Sequence, residues 1–184
     1  MILINRIYRF AQAWLLLFAL LALISILAPP SCDYRPNPTR VAGECASDLN
    51  EALELYREEY NRLPINLSSA LDYSGDFPAE WTTALLAVKN HPATRTFNPK
   101  EIRFLRFRSV DKPRYGGFEE LPDGNWQLMD PWGRPFHLVL DSDDDGFVRI
   151  PKLKGEFRVV ERRILAISRG ADGEIGTEDD IRSE

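Results

Sequence analysis

Apolar residues fill positions 13–28 almost without a break, and Pro29-Pro30 ends the run. Arg6 and Arg9 precede it with no acid among the first 12 residues. About 16 to 18 apolar residues falls between the core of a signal peptide and the roughly 20 of a full membrane span. Ile26 sits where a small-x-small cleavage site wants a small residue, so the pattern predicts an uncleaved N-terminal membrane helix within residues 1–30. With the arginines held inside, everything from Cys32 onward faces the non-cytoplasmic side. A polar, proline-bearing linker over 31–46 follows. The apolar positions then take a helical spacing. Leu49, Leu53, Tyr56 and Tyr60 lie at i, i+4, i+7 and i+11, with Asp48 and Glu51 placed as a capping box and Pro64 as the stop. A second helix is predicted to open with Pro78 at its first position, to carry Trp81, Leu85 and Val88 on one face, and to end at Asn90-His91-Pro92.

From about residue 100 the period changes from 3.6 to 2. Phe136, Leu138 and Leu140 alternate with His137 and Val139, 141–146 reads as a turn, and 147–150 reads as the returning strand of a hairpin. A further β-rich run covers 157–167. Helices first and strands after make the expected fold class α+β, with helices packed on a small antiparallel sheet and a globular domain over 47–184.

Composition narrows the function. The 184 residues carry a net charge of −5, which offers no phosphate-neutralising surface and argues against nucleic acid. Bases gather over 89–114 and 149–163, and acids over 141–145 and 172–180. His91 and His137 have no neighbouring histidine or cysteine in sequence, and the serines lack a nucleophile-elbow context, so no enzyme is expected. Cys32 and Cys45 could close a small loop in an oxidising compartment; a lipid on Cys32 is the competing reading, although Pro29 stands where a lipobox wants an aliphatic residue.

Two acidic loops remain. Asp141-Ser142-Asp143-Asp144-Asp145-Gly146 starts like an EF-hand loop, but position twelve is Lys152 and the flanks read as strands; a plain turn with Gly146 at positive φ is the simpler account. The stretch 168–181 packs five acids and three glycines after a strand. Calcium wants six to eight oxygens from carboxylates and carbonyls, and glycines let a backbone fold around it, whereas a solvated acidic tail is the alternative.

Three segments in order resemble the major pseudopilin of bacterial type II secretion. These are the helix end from Tyr56 to Pro64, Asp130-Pro131-Trp132-Gly133-Arg134-Pro135-Phe136, and Gly170-Ala171-Asp172-Gly173 followed by Asp179-Asp180-Ile181. The resemblance implies a pilin-like fold with a calcium-binding C-terminal loop. Asp172 and Asp179 would supply carboxylates to calcium, and Arg169 and Thr177 backbone carbonyls. It also implies a non-enzymatic structural or assembly protein of a type II secretion or related pilus-type system. Such a protein is single-pass in the inner membrane, has its domain in the periplasm, and has other pseudopilin-like or secretion-system subunits as partners. Residues 1–28 contain no glycine and no acid, unlike the glycine-and-glutamate leader of that family. A membrane-anchored extracytoplasmic ligand-binding or sensing module with structural calcium is therefore the second expectation.

Overall fold

In the computed structural model, residues 37–64, 72–106, 116–151 and 156–183 are described. The predicted anchor, Cys32 and Lys152 lie outside them. Among the described residues, no helix is long and apolar enough to cross a membrane. Residues from Pro36 onward form one unit.

The first helix, α1 (Pro38–Tyr60), starts eleven residues before Leu49, the first of the large apolar side chains that set the pattern. Asn37 caps it by accepting from the Thr39 N–H at 3.0 Å, and Pro38 occupies the first turn, where no N–H is needed. Thus residues 38–46 are helix rather than linker, and Asp48 and Glu51 lie inside the helix rather than at its cap. The reason is that its N-terminal half buries small side chains. Ala42, Cys45 and Ala46 continue the stripe formed by Leu49, Ala52, Leu53 and Tyr56. Asn61 ends the helix in the left-handed conformation.

Two short helices follow strand β1 (Tyr73–Asp76): α2 (Ala79–Leu85) and α3 (Pro92–Phe97). Pro78 is the N-cap of α2 rather than its first residue, and α2 stops at Leu85, short of Asn90. Pro92 does more than end a helix, since it opens α3.

The remaining strands are β2 (Gly117–Glu120), β3 (Trp126–Met129), β4 (His137–Leu140), β5 (Val148–Pro151), β6 (Phe157–Val160), β7 (Ile164–Ser168) and β8 (Ile181–Arg182). The principal sheet has the order β1-β4-β7-β8, antiparallel throughout, and β2-β3 and β5-β6 form two separate ribbons. The fold is therefore α+β with antiparallel sheets, as expected. The expected hairpin between β4 and β5 is not formed. Both edges of β4 are taken, by β1 and by β7, so β5 leaves the sheet and pairs with β6. The run 157–167 is likewise split between β6 and β7.

That arrangement explains why every residue of β4 is buried despite its alternating pattern. Phe136, Leu138 and Leu140 join Ile164 and Ala166 against Leu49, Leu53 and Tyr56 of α1. On the other face Val139, Leu165 and Ile167 pack with Val148 and Ile150 of β5. The sheet is the middle layer of three. Its C-terminal neighbour, the loop between β7 and β8, is held to the second core by Ile175.

Candidate metal centre

The loop 169–180 leaves β7 at Ser168 and returns as β8, so its two ends are fixed by adjacent antiparallel strands. Three glycines turn it: Gly170, Gly173 and Gly176 all have positive φ. At Gly170 the lack of a side chain is obligatory, because a Cβ there would collide with the backbone and carboxylate of Asp179.

Asp179 organises the loop. Its Oδ2 accepts from the N–H groups of Ala171 at 2.7 Å and Asp172 at 3.1 Å, and its Oδ1 accepts from the Thr177 hydroxyl at 2.6 Å. These donors, with the Thr177 hydroxyl foremost, depress the Asp179 carboxyl to about 2, so it is ionised at neutral pH. Asp172 accepts from the Glu174 N–H at 2.8 Å. The Arg169 carbonyl accepts from the Gly173 N–H at 3.1 Å, while its guanidinium leaves the loop and binds Asp76 and His137. Thr177 thus meets Asp179 through its hydroxyl, and also donates to the Glu174 carbonyl at 3.2 Å. Order in this loop does not depend on a cation alone: backbone donors already meet the charge of Asp179.

A motif residue to which the sequence reading gave no role of its own completes the loop. Asp180 is fully buried on its side chain; Oδ2 accepts from the Gly176 N–H at 2.8 Å, and Oδ1 is buried with no hydrogen-bond partner. Burial, opposed by that hydrogen bond and by Arg182, raises its pKa above the usual carboxylate value. Asp180 thus brings a buried carboxylate oxygen without a donor into the same loop as Asp172 and Asp179.

The segment 130–136 reaches the same loop from the other side. Asp130, completely buried, accepts from the N–H groups of Trp132 and Arg134, each at 3.0 Å, and from the Ser168 hydroxyl at 2.7 Å. Gly133 supplies the positive φ that tightens this turn. The turn aims Arg134 at the loop, where it donates to the carbonyls of Gly170 at 2.8 Å and Ala171 at 3.4 Å. Gly173 leaves room for the guanidinium, against which a Cβ would clash. Two motifs about 40 residues apart therefore form one structure.

The second acidic loop, 141–146, is a set of backbone-capping aspartates. Asp141 accepts from the N–H groups of Asp145 at 3.1 Å and Gly146 at 2.9 Å, and Asp145 from that of Phe147 at 2.9 Å. Gly146 has the expected positive φ of 85°. Here too the sequence missed a participant: Asp72, just before β1, brings a carboxylate oxygen into a triad with Asp141 and Asp143 in which the three oxygens lie within 4.8 Å of one another. Nothing in the sequence signalled Asp72, which lies 69 positions before Asp141.

Cys32, the partner of Cys45 in the expected small loop, lies outside the described residues, and Cys45 is a free thiol in the core. Burial first, then Asp48, Glu44 and Asp130, push it up to about 12. His137 is also buried, and burial together with Arg169 lowers its pKa despite Asp76. Its Nε2 lies 2.9 Å from the Ser74 hydroxyl. Both side chains are packed into the fold and away from either acidic loop's carboxylates. A groove of about 680 Å³ at the end of α1 is lined by Arg57, Arg62, Arg163, Asp141 and Asp144 among others.

No family model, curated protein or solved structure matches this chain.

Proposed function

We propose that this chain is a non-enzymatic, pseudopilin-like structural or assembly protein of a type II secretion or related pilus-type system, stabilised by calcium in the loop 169–180. The observation that carries the reading is the junction of Arg134 with the carbonyls of Gly170 and Ala171. It joins the two most specific motifs of the resemblance, the Asp-Pro-Trp-Gly turn and the glycine-aspartate loop. A 23-residue helix laid on an antiparallel sheet supports the same reading, because the pilin-like fold that the resemblance implies packs helix on such a sheet.

In this reading Asp172 and Asp179 give calcium their carboxylates, and the carbonyls of Arg169 and Thr177 complete the set. Asp180 is a further donor through Oδ1. Bound calcium would cancel the loop's surplus negative charge and fix the end of the chain against β7 and β8, so that binding and folding are coupled. The anchor holds the domain at the periplasmic face of the inner membrane, where sister or partner subunits meet it.

The test is thermal melting of the full chain in detergent micelles, with calcium and with chelator, for the parent and for Asp179→Ala. The calcium-dependent rise in melting temperature should shrink in the variant. An undiminished rise would sink the assignment.

A further inference from the structure

We propose that Asp72, Asp141 and Asp143 form a second divalent-cation site, suited to calcium, that pins the start of β1 to the loop between β4 and β5. The three carboxylates converge within 4.8 Å of one another. A triad of acids alone would be an ordinary solvated cluster. Asp72 makes this one different: its side chain is only 6% exposed, and its Oδ1 is buried with no hydrogen-bond partner. A carboxylate oxygen withdrawn from water without a donor destabilises the fold unless something cationic meets it.

Arg149 is the one guanidinium bonded to these acids among the described residues. It reaches Oδ2 of Asp72 at 3.0 Å, Asp145 at 2.5 Å and, more distantly, Asp143 at 3.7 Å. The Arg149 N–H also donates to that same Asp72 Oδ2 at 3.0 Å, so both bonds fall on one oxygen and leave Oδ1 bare. Asp72, Asp143 and Asp145 share this one arginine, Asp141 is met only by the N–H groups of Asp145 and Gly146, and Arg163 is paired with Asp144. One divalent ion removes most of the remaining charge.

The loop's spacing matches the first half of a calcium loop, with acids at positions one, three and five and glycine at six, and lacks only the acid that closes it at position twelve. Asp72 supplies that missing acid from the position just before β1. The surroundings are built for it: the Tyr73 N–H donates to the Ser142 hydroxyl at 3.0 Å, which keeps the start of β1 against the loop. Asp143 is exposed and leaves the remaining positions open to water.

Calorimetric titration of the full chain in micelles with calcium alone tests this, beside Asp179→Ala, Asp72→Asn and Asp143→Asn. If the site exists, Asp179→Ala still binds one ion, and adding Asp72→Asn abolishes it. Asp143→Asn, at an exposed position that tolerates the change, weakens that ion by about ten-fold or more. Should Asp72→Asn fail to fold in chelator by circular dichroism, Asp143→Asn decides. Calcium binding unchanged by both Asp72→Asn and Asp143→Asn, or absent once Asp179 is replaced, overturns the proposal. Loss of an ion in Asp179→Ala alone reports on the C-terminal loop and leaves the two questions separate.

Discussion

Asp130 shows how much one side chain carries here. It is buried and satisfied by two backbone N–H groups and the Ser168 hydroxyl. Asp130→Ala strands those donors and should cost about 3 kcal/mol, read as a lower urea midpoint with the slope unchanged. Gly170→Ala meets both a positive φ of 60° and the body of Asp179, and should cost at least about 2 kcal/mol in the same assay. Cys45 offers a pH test. Its folded pKa of about 12 lies above the unfolded value of 9.0, so the thiol's contribution is complete below pH 9 and is lost as pH rises toward 12. Stability should fall there at up to about 1.4 kcal/mol per pH unit, and replacing Cys45 with Ser should flatten that limb. Aspartates at motif positions were visible in the sequence because glycine spacing marks them. Asp72 was not, because it acts across a strand pairing, and Asp180 stood in the motif without its role, because that role comes from burial, which no local spacing encodes.

Elements were legible where large apolar side chains set the period. The stripe from Leu49 to Tyr60 marked the core of α1, but alanine and cysteine at its start carry too weak a signal to distinguish helix from polar linker. For β4 the alternation was read correctly as a strand, whereas its partners were not. A hairpin inferred from adjacency failed because β1, far away in sequence, occupies the edge that β5 would have needed. The pairing of β1 with β4 also places His137 beside Ser74, Asp76 and Arg169. Its folded pKa lies below the ordinary 6.5, so this contribution is full above pH 6.5 and fades as pH falls through the folded value. A chain with His137→Gln, which cannot gain that proton, should lose less stability between pH 7 and pH 5 than the parent, as followed by denaturant melts.

Among the described residues, the long helix, a four-stranded sheet and the β5-β6 ribbon form three layers around two apolar cores. Both acidic loops lie at strand ends of that sheet, one closing β7 to β8 and the other leaving β4. A calcium-stabilised assembly domain would use them to hold its strand ends rigid where partners touch. The measurement that bears most directly on this account is the melting temperature of the full chain in micelles, in saturating calcium and in chelator, for the parent and Asp179→Ala. With calcium at about 100 times its dissociation constant, a single site contributes about 2.7 kcal/mol, a rise of roughly 5 to 15 °C. The account predicts such a rise in the parent and a clearly smaller one in Asp179→Ala, and an equal rise in both, or none in the parent, would contradict it.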